Sequence, residues 1–223
     1  MRYSVVISHH QSAYIPRFVR VLNDNVVFVF DDMQQEDVDQ VCLAGARYVC
    51  NPVIGNRTMN RNLGLTELER IATLSDDDWI EFFDGDRVPI VYNIGENLSD
   101  FDVFLYICET DKRLEKLKPG PVNVNILCNP FYSCGFRIKY GLIKEIYRVN
   151  QGKLFDESFT GWGCEDQFLG VMCGSLGAKV CLCDTVVLSG KVGGDEISHP
   201  DYLGSLQHYI DRLRECNIFP HAK

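Results

Sequence analysis

The sequence predicts an α/β fold, with a twisted, mostly parallel sheet covered by helices on both faces. Over residues 1–100, short apolar runs alternate with segments whose apolar residues recur at helical spacing, which is the pattern of layered α/β chains. The run at 26–30 is apolar throughout, which is typical of a parallel strand buried on both faces.

The elements follow from runs and periodicities in chain order. Strands are predicted at 3–7, 26–30, 48–50, 79–83, 103–107, 124–127 and 180–182. Helices are predicted at 15–22, between the second and third strands, at 61–72, around 143–147, at 168–176 and at 203–213. The charged stretch 109–118 and the Pro-Gly-Pro that follows it are expected to form a mobile loop.

The composition indicates a single globular domain over residues 1–223, with 46% hydrophobic and 24% charged residues. A net charge of -9 argues against a broad surface for DNA or RNA, because such surfaces need many cationic contacts. The chain shows neither a signal peptide nor an apolar run long enough to cross a bilayer, so a cytoplasmic location is expected. The ten cysteines form no CxxC pair and are expected to be reduced, mostly buried thiols.

Two carboxylates, Asp84 and Asp86, follow the predicted strand at 79–83 directly. Ligands of open α/β sheets bind at the carboxyl ends of the strands. Carboxylates one residue apart can present oxygen atoms to one Mg²⁺ or Mn²⁺ ion, which would compensate the charge of a diphosphate leaving group. The alternative interpretation is a polar turn that ends a strand.

A second group of candidate residues lies in the segment 155–166, which reads FDESFTGWGCED. Glu165 and Asp166 fall on the first turn of a predicted helix, where acids are stabilised by the helix dipole, so they could serve helix initiation alone. That alternative does not explain the aromatic Trp162 between two glycines. An indole beside a carboxylate can stack on a sugar ring, and an ionised Asp166 could act as a general base.

Taken in order, the RNLG segment at 61–64, the DGD segment at 84–86 and the segment at 155–166 resemble GT-A glycosyltransferases. The GWGCED string is similar to a motif of the β-1,4-galactosyltransferases and of the polypeptide N-acetylgalactosaminyltransferases. The resemblance implies the GT-A (nucleotide-diphospho-sugar transferase) fold, with a nucleotide-binding half at 1–100 and an acceptor and catalytic half at 101–223. It also implies Mn²⁺ or Mg²⁺ as cofactor and a nucleotide sugar, with UDP as the nucleotide.

The resemblance assigns roles to individual residues. Asp86 would ligate the metal, with Asp84 supporting it or contacting the donor sugar. Asp166 would deprotonate the acceptor hydroxyl, and Glu165 would bind a sugar hydroxyl. The remaining residues would surround the nucleotide and the sugar: Asp31 or Asp32 near the base or ribose, Arg61 near the nucleotide or its diphosphate, and Trp162 and Gly163 along the sugar.

Two histidines extend this set. His199 corresponds to a histidine metal ligand that follows the catalytic acid in the galactosyltransferases, and His9 lies where this fold contacts the nucleotide; the alternatives are a surface residue and a polar loop. Where the galactosyltransferases carry further acids, this chain has Gln167 and Phe168, so the acceptor is not specified. The chain lacks their membrane anchor and is expected to be a catalytic core of bacterial or viral origin that inverts the anomeric configuration.

Other classes of protein are alternatives. A haloacid-dehalogenase-like phosphatase also uses two aspartates after a strand, but its nucleophile follows the first strand of the core. A sugar nucleotidyltransferase would carry a glycine-rich segment where this chain has residues 8–12, and a non-catalytic nucleotide-sugar-binding module would need no base. Among acceptors, a glycan or another hydroxyl-bearing molecule is expected. A modified DNA base stays open but is disfavoured by the acidic charge, although lysines and an arginine at 112–118 could form a local basic loop.

Overall fold

The computed structural model describes residues 1–8, 12–22, 25–93, 100–108, 119–125, 131, 135–160, 163–189 and 202–216. The strands in these residues are β1 (Arg2–Ser8), β2 (Val26–Phe30), β3 (Arg47–Cys50), β4 (Trp79–Asp84), β5 (Pro89–Tyr92), β6 (Val103–Cys108), β7 (Gly120–Val122), β8 (Gly135–Lys139) and β9 (Val180–Leu188). The α-helices are α1 (Ile15–Leu22), α2 (Gln35–Leu43), α3 (Arg57–Ile71), α4 (Tyr140–Val149), α5 (Glu165–Ser175) and α6 (Tyr202–Glu215).

All of these strands join one sheet in the order β3-β2-β1-β4-β8-β6-β9-β5, with β7 pairing separately with β9. The part β3-β2-β1-β4 is parallel. Beyond it the sheet is mixed, because β8 runs antiparallel to both of its neighbours, β4 and β6. Among the described strands, β1 to β4, β6 and β9 share one direction, which confirms the expected mostly parallel sheet.

Helices cover both faces of the sheet, as predicted, and each face has its own hydrophobic core. On one face, apolar residues of α3, α4, α5 and α6 pack against the sheet, among them Leu68, Ile143 and Phe168. On the other face, α1 and α2 contribute residues such as Phe18 and Val41. The sheet is therefore buried between two layers, and the edge formed by the strand ends is where polar side chains can gather.

The structure corrects the sequence analysis in the second half of the chain. Residues 124–125 of the strand predicted at 124–127 are not in a strand, and 126–127 lie outside the described residues. Gly120–Val122, expected to be loop, instead forms β7 against β9. Pro121 is compatible with this strand because β7 is a short strand off the main order of the sheet. The predicted mobile, basic stretch at 109–118 lies outside the described residues.

The eight described cysteines are free thiols, but only four of them are buried, so the expectation of mostly buried thiols holds for half of this set. None of the helices in the described ranges has the length and hydrophobicity needed to cross a membrane.

Helix α3 lies so close to the sheet that Gly64 leaves no room for a side chain. A Cβ atom there would come within 2.4 Å of Val5 Cγ1 and 2.8 Å of Val29 Cγ2. Both valines are fully buried and have stiff χ1 angles. We expect Gly64→Ala to destabilise the fold by about 1–3 kcal/mol through overpacking, which outweighs the ~1 kcal/mol by which Ala favours a helix. Thermal denaturation should show a lower Tm.

Gly204 on α6 is the matched control for this prediction, because a Cβ there would meet no atom of the described residues within 4 Å. Gly204→Ala should leave the Tm unchanged or raise it slightly. Equal behaviour of the two variants would contradict the proposed close approach of α3.

Candidate active site

The DGD segment forms a tight turn directly after β4, at the carboxyl edge of the sheet. The Gly85 N–H donates to the Ile7 carbonyl (2.6 Å), and the Arg87 N–H donates to the Asp84 carbonyl (2.8 Å). The Asp84 and Asp86 side chains remain 21% and 19% exposed. Both carboxylates can therefore reach a ligand in solvent while their backbone is held by neighbouring strands.

Arg87 and Ser189 tie this turn to the far side of the sheet. The Arg87 guanidinium donates to the Cys108 thiol (3.2 Å) and the Ser189 carbonyl (3.4 Å), and its Nε lies 3.8 Å from Asp86 Oδ1. The Ser189 N–H also donates to the Val88 carbonyl. The turn that carries both acidic residues is thus attached to β1 on one side and to the end of β9 on the other.

Arg61 lies behind the turn and contacts two carboxylates at once. The side chain is 1% exposed, with Nη2 3.0 Å from Asp84 Oδ1 and Nη1 3.3 Å from Glu165 Oε1. The guanidinium also lies over the Phe155 ring, 5.2 Å from its centroid. Burial by itself would lower the pKa of Arg61, but the nearby carboxylates, including Asp166, more than offset this and raise the pKa above its ordinary value. The guanidinium is therefore a permanent buried cation.

The start of α5 presents Glu165 and Asp166 from a strained turn. Gly163 (φ 88°) and Cys164 (φ 73°) are both in the left-handed region just before the helix. For buried Cys164 this conformation is costly, and such strain concentrates at functional sites. Glu165 is 4% and Asp166 7% exposed, and Asp166 Oδ1 accepts the Gln167 N–H at 2.9 Å. Within the described residues, Glu165 Oε2 has no hydrogen-bond partner.

Asp31, directly after β2, supports the loop that leads into α3. Its Oδ2 atom accepts from the Gly55 N–H (2.9 Å) and from the Asn60 side chain (3.3 Å). The neighbouring Asp32 is half-buried and accepts from the Gln34 side chain at 3.3 Å. Both therefore lie beside the same strand edge as the DGD turn, although Asp31 is engaged in holding the backbone.

Asn62 joins α3 to the segment that precedes the GWG motif. Its side-chain amide donates to the Phe155 carbonyl (2.8 Å) and to Glu157 (3.0 Å), and its oxygen accepts the Phe155 N–H (3.0 Å). Asn62 lies in the RNLG segment, and the sequence alone gives it no role. Its contacts depend on a segment more than ninety positions away, so no local signal could have identified them.

The segment after Phe155 is also fastened to α6. Asp156 pairs with Arg212 (2.6 Å) and accepts from Ser158, and the Ser158 hydroxyl lies 2.8 Å from His208 Nε2. Burial would raise the pKa of Asp156, but the hydrogen bonds from Ser158 and Arg212 outweigh it and lower the pKa. A cavity of about 390 Å³ lies along this contact. It is lined by none of the candidate site residues, so we assign it a structural origin.

Of the residues predicted from the sequence, Asp84, Glu165 and Asp166 are thus brought together around Arg61, with Asp86 on the same turn as Asp84. Gly163 precedes them directly. His9, Trp162 and His199 lie outside the described residues. In the part of the chain that the structure describes, no three His, Cys, Asp or Glu side chains are grouped as a complete metal site.

Comparisons with solved structures identify the fold. The chain is similar to GalNAc-T7 with UDP, GalNAc and Mn²⁺ (TM-score 0.60, 12% identity, 96% of this chain and 48% of that chain). It is also similar to the glucosyl-3-phosphoglycerate synthase of Mycobacterium tuberculosis with Mn²⁺, UDP-glucose and phosphoglyceric acid (TM-score 0.55, 14% identity, 99% and 81%). The chain has the GT-A fold.

The solved structures that are similar to this chain do not share one activity. A nucleotidyl transferase from Methanothermobacter is similar as well, with a TM-score of 0.50, 15% identity and coverage of 97% of this chain and 96% of that chain. The chain spans about half the length of GalNAc-T7. Comparisons with protein families and with curated proteins found no match.

Proposed function

We propose that this GT-A chain is a metal-dependent glycosyltransferase that transfers a hexose-type sugar from a nucleotide sugar to an acceptor hydroxyl. The nucleotide is UDP, as the sequence resemblance implies and as the contents of the similar structures support. The acceptor is a glycan or another hydroxyl-bearing molecule. A nucleic-acid acceptor has no support beyond the basic stretch at 112–118, which lies outside the described residues.

The proposal rests on one arrangement: a buried guanidinium at the carboxyl edge of the sheet binds two carboxylates, and a third carboxylate lies next to one of them in the chain. Asp84 comes from the end of β4, and Glu165 and Asp166 come from the start of α5. Acids on two separate elements suit a group transfer, because the acid at the end of β4 can face the leaving group while the acids at the start of α5 face the acceptor. A structural ion pair alone would not leave a buried carboxylate oxygen of Glu165 without a partner in the described residues.

The carboxylates of the DGD turn fit a divalent metal ion. Asp84 and Asp86 supply hard oxygen ligands and are partly exposed on a turn held in place by backbone hydrogen bonds, which suits Mn²⁺ or Mg²⁺. His199 is the proposed third ligand, by resemblance. When bound, the ion would compensate the charge that develops on the departing diphosphate.

In the transfer step, the oxygen of the acceptor hydroxyl attacks the anomeric carbon while Asp166 accepts the proton of that hydroxyl. The bond from that carbon to the diphosphate breaks, and the diphosphate leaves with the electron pair; because the proposed attack comes from the face opposite the diphosphate, the configuration is inverted. Glu165 is proposed to accept a hydrogen bond from a sugar hydroxyl through its free oxygen. Trp162 and Gly163 would line the sugar, and His9, Asp31 or Asp32 would lie near the nucleotide.

Two other activities are weaker candidates. In a haloacid-dehalogenase-like phosphatase the nucleophile is the first aspartate and follows the first strand, but here Asp84 is the last residue of the fourth strand and one of its oxygens is bound to Arg61. A nucleotidyl transferase is supported by fold similarity to one such enzyme, yet the sequence lacks the glycine-rich segment after β1. Measuring the binding of nucleoside triphosphates beside that of nucleotide sugars distinguishes a nucleotidyl transferase from the proposed glycosyltransferase.

The proposal is tested by measuring thermal stability with a panel of nucleotide sugars, UDP and nucleoside triphosphates, each with Mn²⁺ or with chelator. A ligand present at 100 times its Kd should stabilise the protein by about 2.7 kcal/mol, which corresponds to a Tm increase of about 5–10 °C for a domain of this size. We expect this shift with a UDP-sugar only when Mn²⁺ is present. If no nucleotide sugar raises the Tm under either condition, the proposed function is wrong.

A further inference from the structure

Arg61 is buried at the point where the two halves of the candidate site meet. Its guanidinium comes from α3, and it holds Asp84 from the DGD turn with one nitrogen and Glu165 from α5 with another, at 3.0 and 3.3 Å. With 1% of the side chain exposed, Arg61 is screened from the space where a diphosphate would bind. The structure shows Arg61 acting on its two carboxylate partners, and its predicted position near the nucleotide or its diphosphate stays a prediction.

Besides balancing the charges of Asp84 and Glu165, the guanidinium of Arg61 also constrains the positions of both carboxylates through its shape. An arginine presents several N–H donors in a rigid planar fork, so it fixes the spacing of two carboxylates, whereas the ammonium of a lysine is a point charge on a flexible stem. The Phe155 ring beneath the guanidinium restricts its plane further. Movement of either carboxylate would therefore be transmitted to the other through Arg61.

We propose that Arg61 is a positioning residue that couples the charge of the DGD turn to the orientation of Glu165. This inference rests on the proposed function, since it concerns how that site is held for transfer. Because Arg61 holds Oε1 of Glu165, it sets the orientation of this carboxylate, whose buried Oε2 has no partner in the described residues. Because Asp84 shares the same cation, the affinity of the DGD turn for Mn²⁺ depends on Glu165, which is itself not a metal ligand.

The coupling predicts changes in Mn²⁺ affinity of opposite sign. In Glu165→Gln, Asp84 is the only one of the two carboxylates that still compensates the positive charge of Arg61, so the net negative charge at the DGD turn decreases. Mn²⁺ should therefore bind about three- to tenfold more weakly. Arg61→Met removes the cation but keeps an apolar stem over Phe155, so Mn²⁺ should bind more tightly by a similar factor, while transfer should fall at least about tenfold because Glu165 is released. A purely structural residue would lower affinity and rate together.

Arg61→Lys separates charge from geometry. The positive charge remains, so Mn²⁺ affinity should stay within about twofold of the wild type, but the fork is lost, so kcat should fall about tenfold with little change in the KM of the donor. Arg70→Met is the matched control. Arg70 lies on the same helix, is mostly exposed and pairs with Glu67, so its loss should change neither quantity.

The experiment measures Mn²⁺ binding by the electron paramagnetic resonance signal of the free ion, in the full chain without nucleotide. UDP release from the UDP-sugar that binds the wild type supplies the rates. Since Arg61→Met leaves Glu165 buried and unpaired, the Arg61→Met/Glu165→Gln double variant, which removes both charges, keeps the Mn²⁺ readout available if the single variant fails to fold. In that double variant Mn²⁺ affinity should return close to the wild-type value.

The outcomes distinguish this inference from the function on which it rests. If the wild type binds a UDP-sugar with Mn²⁺ but Arg61→Met weakens Mn²⁺ binding, or Arg61→Lys transfers at the wild-type rate, the coupling is wrong and the proposed function stands. If the wild type binds neither Mn²⁺ nor UDP, the proposed function fails, and the inference fails with it. Opposite shifts in Glu165→Gln and Arg61→Met, with an unchanged Arg70→Met, support it.

Discussion

Asp166→Asn is expected to bind the donor with a Kd within about threefold of the wild type and yet to transfer the sugar about 10²–10⁴-fold more slowly, the usual cost of removing a general base. Asparagine has nearly the same shape, and its oxygen can still accept the Gln167 N–H that Asp166 now accepts. The start of α5 should therefore stay in place while the proton acceptor is lost. Calorimetry with the donor, and the rate of UDP release, measure the two quantities separately.

A matched control for this variant is Asp211→Asn on α6, where the carboxylate is half-exposed and pairs only with neighbours on its own helix in the described contacts. It should keep the wild-type rate. Normal turnover by Asp166→Asn would remove Asp166 from the role of base, and a loss of donor binding equal to the loss of rate would make it a binding residue.

Asp86→Ala is expected to abolish the dependence of donor binding on metal. In the wild type, UDP affinity should be much higher with Mn²⁺ than with chelator, whereas in this variant the two affinities should become equal. Asp86 is the candidate ligand for which removal leaves the Arg61 contacts intact, because Asp84 and not Asp86 pairs with that guanidinium. Titrations of UDP with and without Mn²⁺ give the ratio directly.

Asp76→Ala serves as the control for a lost carboxylate, since Asp76 is exposed and pairs with Lys144 outside the site. It should keep the wild-type ratio. An Asp86→Ala protein that still binds UDP more tightly with Mn²⁺ would exclude Asp86 as the main metal ligand. Asp84→Ala should have a lower thermal stability than either Asp86→Ala or Asp76→Ala, because it also removes an ion-pair partner of Arg61.

The parallel half of the fold was predictable because its strands contain runs of apolar residues. Val26–Phe30 is apolar and buried throughout, and Trp79–Asp84 is mostly apolar, with its four middle residues buried, so composition marks both. The antiparallel strand β8 was missed because it contains Arg137, which looks like a surface residue in the sequence. In the structure Arg137 is buried, with its guanidinium over the rings of Trp79 and Phe104, a partnership that arises only from strand pairing.

The positions of the candidate carboxylates were predictable for a related reason. Asp84 follows an apolar strand and Glu165 begins a periodic helix, and both features are local. The contact of Arg61 with the two acids was not predictable, since its partners lie 23 and 104 positions away. Nor could the left-handed conformation of Cys164 be inferred, because cysteine rarely adopts it and only the surrounding packing imposes it.

The order of the strands has a consequence for synthesis of the chain. In the register of β1 and β4, Ser4 is paired with Glu81, 77 positions later, and the other edge of β4 is covered only by β8, which begins at Gly135. Once β4 has emerged from the ribosome, this mostly apolar strand therefore has one edge open until β8 follows. Such non-local pairing slows folding and exposes strand edges that can associate between chains. That edge of β4 is accordingly open to pairing with other chains until β8 has been translated and has folded against it.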